Sequence, residues 1–130
     1  MQYIGKIDRN KLGKYRDIVV TEDVILTEER IKHIQEHHPG DYENYGFYIP
    51  EILSSPDYII NDSKNSNTVL YLKTIEGNHK NIQIVVKLNT NQKAINKQNS
   101  ILTFWKVKTS TYNQMVRNKE IIFAKLDKNE

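Results

Sequence analysis

Three of the four histidines of the chain lie in one short segment, IKHIQEHHP, which covers residues 31–39. His33 and His37 are four residues apart, so on a helix they share one face. With Glu36 they form the pattern H-x-x-E-H, in which two histidines can bind zinc while the glutamate acts as a general base. A zinc site also needs a third protein ligand, and the remaining acidic residues do not lie on an obvious helix facing this one. Zinc hydrolysis is one interpretation of the segment, and solvated helix histidines are another.

Proton transfer without a metal is the third interpretation. Imidazole titrates near neutral pH, so a positioned His33, His37 or His38 can act as a general base or acid. Cleavage of RNA by attack of a ribose 2′-OH on the phosphodiester needs a base, an acid, and cations around the phosphate. The histidine segment therefore supplies candidates for both proton transfers.

Four cationic side chains are candidates for contacting a phosphate. Lys73 and Lys87 lie in or at the end of predicted strands, and Lys106 and Arg117 follow later in the chain. Lys87 interrupts the apolar run IVVKL, which is unusual for a buried strand. Both strand lysines can equally be outward-facing residues of half-buried strands.

Hydroxyl and aromatic groups complete the list of candidates. Ser100 and Thr103 lie in the segment SILTFWKV and can donate hydrogen bonds to a phosphate, although both are ordinary strand residues. Trp105 in the same segment is more typical of a core than of a base-stacking platform. Tyr112 is one of eight tyrosines, a residue type that stacks on bases.

The patterns of apolar residues predict the elements that must hold these side chains. Thr27 is a good helix N-cap, and Pro39 with Gly40 ends the helix that carries the histidines. A second helix is predicted near 49–53, and a short one at 110–117. Strands are predicted at 3–7, 17–20, 24–26, 57–60, 68–73, 81–88, 100–107 and 120–126. This order indicates an α+β fold, with helices packed on one face of an antiparallel sheet.

The length and composition of the chain limit the classes of protein to which it can belong. With 130 residues, 38% hydrophobic and 27% charged, the chain is predicted to be one globular domain, 1–130. Within it we expect an N-terminal extension or β-hairpin at 1–23 and a core at 24–126. No apolar run is long enough to span a bilayer, and no cysteine is present, which fits a cytoplasmic location. The net charge of +3 is compatible with a polyanionic partner.

The ordered series ILTEERIKHIQEHHP, a PD segment ending at Asp57, YLK, IVVKL and NSILTFW resembles a known group. It is similar to the phage-associated barnase–EndoU–colicin–RelE-like nucleases of mobile elements and polymorphic toxins. The resemblance runs from about Val24 to about Lys125. It implies N-terminal helices packed on a curved antiparallel sheet of about four to five strands, and metal-independent cleavage of RNA without a cofactor.

The resemblance also assigns site residues. His33 and His38 match the family's helix histidines, Lys87 matches the lysine of its V-V-K strand, and Thr103 matches the threonine of its N-S-I-x-T strand. Ser100 lies beside that threonine. The family's later aromatic or basic positions fall around Tyr112 and Arg117, and Lys73 is a further candidate for substrate binding.

These observations together predict a toxin-like endoribonuclease that leaves a cyclic phosphate. The expected partners are an RNA substrate and a neutralising immunity or antitoxin protein, with no membrane partner. One alternative is a binding module of the same fold that holds RNA or protein without cleaving it. The other is the zinc hydrolase on H-x-x-E-H.

Overall fold

The computed structural model describes residues 2–125, and Leu126, the predicted end of the core, lies outside them. The described residues form four α-helices and a seven-stranded sheet, with short 3₁₀ turns between them. The elements in chain order are β1 (Gln2–Lys6), β2 (Asp23–Leu26), α1 (Glu28–His37), α2 (Asp41–Tyr45), α3 (Ile49–Ser54), β3 (Tyr58–Asn61), β4 (Thr68–Thr74), β5 (Asn81–Lys87), β6 (Asn99–Val107), α4 (Thr109–Asn118) and β7 (Ile121–Ala124).

The strands follow the order β1-β2-β6-β5-β4-β3-β7 across the sheet. The pairs are antiparallel except β2 with β6, which run parallel. The predicted α+β class is confirmed, but the predicted number of four to five strands is wrong. The difference comes from β1, β2 and β7, short strands of four or five residues that extend the central meander at both edges. The strand predicted at 17–20 is also wrong, because Ile18 and Val19 both bond back to the Tyr15 carbonyl in a turn.

The sheet is covered on both faces. Ile34 of α1 and Leu53 of α3 belong to the larger core, on the face that carries Ile84 and Phe104. Met115 of α4 belongs to a smaller core on the opposite face. Full burial of one such side chain contributes about 1.5–3 kcal/mol, so both layers stabilise the sheet. Helices therefore pack on two faces, because the chain crosses to the other side of the sheet after β6.

The segment before β2 is part of the main core. Ile7, Leu12, Tyr15 and Val19 are all buried and belong to the larger cluster. Among residues 2–125, none of the helices combines the length and the apolar character that crossing a bilayer requires.

Candidate active site

The C-terminal end of α1 places His38 against the sheet. The backbone N–H of His38 donates the last helical hydrogen bond to the Ile34 carbonyl at 2.8 Å. The backbone of His38 itself is no longer helical, with φ −134° and ψ 68°. The imidazole stacks on the indole of Trp105 in β6, with ring centroids 4.6 Å apart and planes 10° apart. Asp41, just beyond the turn, accepts a 3.0 Å bond from the Lys106 N–H. The turn is therefore fastened to β6 beside the stacked rings.

The surroundings of His38 favour its neutral form. Burial lowers the pKa of His38 from its usual 6.5, and the neighbouring His37 and His33 lower it further. The Asp41 carboxylate raises the pKa of His38, an influence smaller than burial but larger than that of either histidine. A neutral imidazole at pH 7 has a free lone pair, so His38 can accept a proton.

Three further polar side chains share one face of β5 and β6. Lys87 is paired with Ser100, and Thr103 is paired with Val85. Residues paired across antiparallel strands point to the same side, as do alternate residues along a strand. Lys87, Ser100, Thr103 and Trp105 therefore line one face, and Lys87 is exposed there. Since His38 stacks on Trp105, four of the eight predicted site residues lie along this surface.

The hydroxyl of Thr103 has no hydrogen-bond partner among the described residues, although its oxygen is buried. On β4, two strands away, the Thr68 hydroxyl donates to the Ser66 carbonyl at 3.0 Å. The Lys87 ammonium donates to the same carbonyl, also at 3.0 Å. Neighbouring side chains must shift before a substrate atom can reach Thr103. Lys87, by contrast, is accessible and can exchange its carbonyl partner for a phosphate.

His33 and His37 form a second pair of stacked rings on α1. Their centroids are 4.2 Å apart, with planes at 29°. Because a carbonyl only accepts, the 3.0 Å contact from His37 Nδ1 to the His33 carbonyl places a proton on that nitrogen. Within residues 2–125, no group of three His, Cys, Asp or Glu side chains is arranged to hold a metal ion. The zinc alternative therefore gains no support from the geometry.

A family model described as phage-Barnase-EndoU-ColicinE5/D-RelE like nuclease3 matches residues 2–114. The chain belongs to this nuclease family. The predicted resemblance is confirmed, and the match includes β1 and the N-terminal segment that the quoted motifs did not cover. No curated protein and no solved structure matches the chain significantly.

Lys73 does not lie on the face of the sheet that carries Lys87 and Thr103 in this nuclease. It follows the buried Leu72 and projects to the opposite side of the sheet, where only 7% of the residue is exposed. Its ammonium donates to the Ser55 carbonyl at 2.7 Å and lies 3.8 Å from the Asp57 carboxylate. The structure thus gives Lys73 contacts that fasten β4 to the end of α3.

Two other predicted residues of the nuclease belong to α4. Tyr112 is buried in the smaller core and packs edge-to-face on Tyr58, with centroids 6.1 Å apart. Burial raises the pKa of Tyr112 to about 12, so it stays protonated at neutral pH. Arg117 is exposed in the last turn of α4, beyond the matched residues. Trp105 packs against the same smaller core, so Tyr112 lies on that side of the sheet but is buried within the core.

Two residues at this site, Trp105 and Asp41, were not among the predicted site residues. Trp105 is two residues after Thr103, so strand alternation alone places both on one face. The role of Asp41 had no such signal, because its contact with Lys106 joins residues 65 positions apart.

Proposed function

We propose that this family member is a metal-independent endoribonuclease, which cleaves RNA by attack of the ribose 2′-OH and leaves a cyclic phosphate. The observation that carries the proposal is the position of His38. Its pKa is lowered, and it stacks on Trp105 at the end of a surface that also presents Lys87 and Thr103. This reaction requires a base, a cation and hydroxyl donors around one phosphate, and this surface carries all three kinds of group.

Each of these side chains is assigned a role in the cleavage reaction. His38 takes the proton of the 2′-OH as the oxygen attacks phosphorus, and the bond from phosphorus to the 5′ oxygen breaks. Lys87 balances the charge that develops on the phosphate oxygens, while Ser100 and Thr103 donate hydrogen bonds to them. His33, five residues earlier and within α1, gives a proton to the departing 5′ oxygen. Positioned proton transfer of this kind contributes about 10²–10⁴-fold to rate.

RNA as substrate and a toxin-like role are parts of this proposal. The family description supports a nuclease, and a 2′-OH mechanism restricts the substrate to RNA. A nuclease that attacks cytoplasmic RNA would damage its own cell, which is why we include a neutralising immunity or antitoxin protein as partner.

The test is cleavage of mixed-sequence RNA in excess EDTA by the wild type, His38→Ala and His33→Ala, followed by chemical analysis of the new ends. We expect cyclic phosphate ends from the wild type and a loss of about 10²–10⁴-fold in His38→Ala. RNA with 2′-O-methyl groups is the matched control, because it lacks the nucleophile and should stay intact. Absence of cleavage by wild-type protein with a folded circular dichroism spectrum would contradict the proposal. Binding without cleavage would favour the non-catalytic module.

A further inference from the structure

A cationic cavity of about 210 Å³ opens at one end of the sheet, between the β4–β5 turn and the start of α4. Its lining includes His79 and Lys80 from the turn, Lys106 from β6, and Lys108 just before α4. These four side chains come from three separate elements. The fold therefore gathers positive charge here that the sequence leaves dispersed.

The charges of this cavity are not neutralised by the protein. No carboxylate lines it. Among residues 2–125, none of the ion pairs involves Lys80, Lys106 or Lys108. The Asp41 carboxylate is bonded to the backbone of Lys106, next to the cavity, but is not part of its lining. Three unpaired ammonium groups around a concave surface favour an anionic ligand.

Hydrogen bonds hold the floor of the cavity in place. The Asn81 amide donates to the Thr109 hydroxyl at 3.1 Å and accepts from the Thr74 hydroxyl at 2.7 Å. The turn above is closed by the bond from the Ile75 N–H to the Lys80 carbonyl at 2.8 Å. The lysine side chains of the cavity therefore extend from backbone segments that hydrogen bonds hold in place.

The cavity lies at the end of β6 next to the candidate active site, although Lys106 and Trp105 project to opposite faces of the strand. Trp105, on which His38 stacks, precedes Lys106 in β6. With a rise of about 3.3 Å per residue, Lys106 and Lys108 lie about 3 and 10 Å from Trp105 along the backbone. A nucleic-acid strand that passes from the stacked rings around this end of the sheet reaches the cavity.

We propose that this cationic cavity binds backbone phosphates of single-stranded RNA beside the site of cleavage. The inference rests on the proposed ribonuclease function for the nature of its ligand. Binding here adds affinity for longer RNA without touching the reacting phosphate. The cavity therefore acts as a subsite that fixes the direction of the strand across His38.

The test uses a fluorescent, single-stranded 2′-O-methyl oligonucleotide, which the proposed reaction cannot cleave. Its affinity is measured by anisotropy from low to high salt, for the wild type and for Lys80→Gln/Lys108→Gln. Each phosphate contact on a single strand contributes about 0.7 to the slope of log K against log salt, so the slope should flatten by about 1.4. Lys11→Gln/Lys14→Gln is the matched control. It removes the same charge near β7, at the far edge of the sheet, and should keep the wild-type slope.

Cleavage kinetics give a second readout. The variant should cleave a dinucleotide with unchanged kcat/KM and a longer RNA with lower kcat/KM. A wild-type salt slope in the folded variant would overturn the inference, and so would a wild type that does not bind the oligonucleotide. If the wild type binds but does not cleave 2′-OH RNA, the proposed function fails. A flattened slope would then still support the cavity as a phosphate site.

Discussion

The unpaired hydroxyl of Thr103 makes stability and activity respond in opposite directions. Thr103→Val keeps the shape of the side chain and removes the buried oxygen that lacks a partner. An unsatisfied buried hydroxyl costs about 1–3 kcal/mol. We therefore expect the variant to gain about 1 kcal/mol in free energy of unfolding, which at this chain length raises Tm by about 4 °C. Valine also suits a strand position better than most residues.

The same substitution should reduce cleavage. A hydrogen bond to a charged group is worth about 1.5–3 kcal/mol. If the Thr103 hydroxyl bonds the phosphate as its negative charge develops, kcat/KM should fall about 10- to 100-fold. Urea denaturation gives the first quantity, and initial rates on a defined oligoribonucleotide give the second.

Thr68→Val is the matched control for Thr103→Val. Thr68 is on the same face of the sheet, buried, and its hydroxyl donates to the Ser66 carbonyl. Removing that bond should lower the free energy of unfolding by about 1 kcal/mol. A loss of 1 kcal/mol or more in Thr103→Val would refute the reasoning that its hydroxyl is unpaired. A gain in stability with unchanged kcat/KM would refute its contact with substrate.

Three further outcomes follow from the charged groups. Since the folded pKa of His38 lies below 6.5, the unfolded chain binds more protons between that value and 6.5. The free energy of unfolding and the cleavage rate should both fall as pH drops through this window. In His38→Gln, the free energy of unfolding measured by urea denaturation should not show this fall. Asp41→Asn keeps an acceptor for the Lys106 N–H but removes the charge that raises the His38 pKa, so NMR titration should show a lower pKa for His38. Lys73→Met leaves the Ser55 carbonyl unpaired and should lower the free energy of unfolding by about 1–3 kcal/mol. Once that variant is folded its kcat/KM should be unchanged, and a fall in kcat/KM at wild-type stability would point to substrate contact instead.

The histidine helix was predictable because residues at its two ends determine where it begins and where it stops. The Thr27 hydroxyl accepts from the Arg30 N–H at 3.2 Å, as its N-cap position predicts, and Pro39 cannot continue the helix. The shared face of Lys87 and Thr103 was within reach as well, since strand pairing and alternation follow from the pattern. The short strands β1, β2 and β7 were also predicted as segments, at 3–7, 24–26 and 120–126. Their place in one seven-stranded sheet was not predictable, because it depends on pairing between segments far apart in the chain.

The direction in which Lys73 points was hidden by burial on both faces of β4. All residues from Thr68 to Lys73 are buried, so the sequence TVLYLK shows no alternation of polar and apolar residues. Strands covered on one side reveal their orientation, whereas centrally placed strands do not. The second cover here is α4, whose position across the sheet depends on contacts far apart in the chain.

The choice of His38 over His33 and His37 follows from an incomplete strand pairing. β2 pairs with β6 only at Asn99 and Ser100, which leaves the later part of β6 without a strand on that side. An open edge of this kind must be covered, and the turn after α1 covers it through the bond from the Lys106 N–H to Asp41. His38, the residue directly after α1, is thereby held against Trp105, partly buried, and kept neutral. A longer β2 would pair with β6 up to Trp105 and displace this turn, so the geometry that completes the sheet also creates the proposed base.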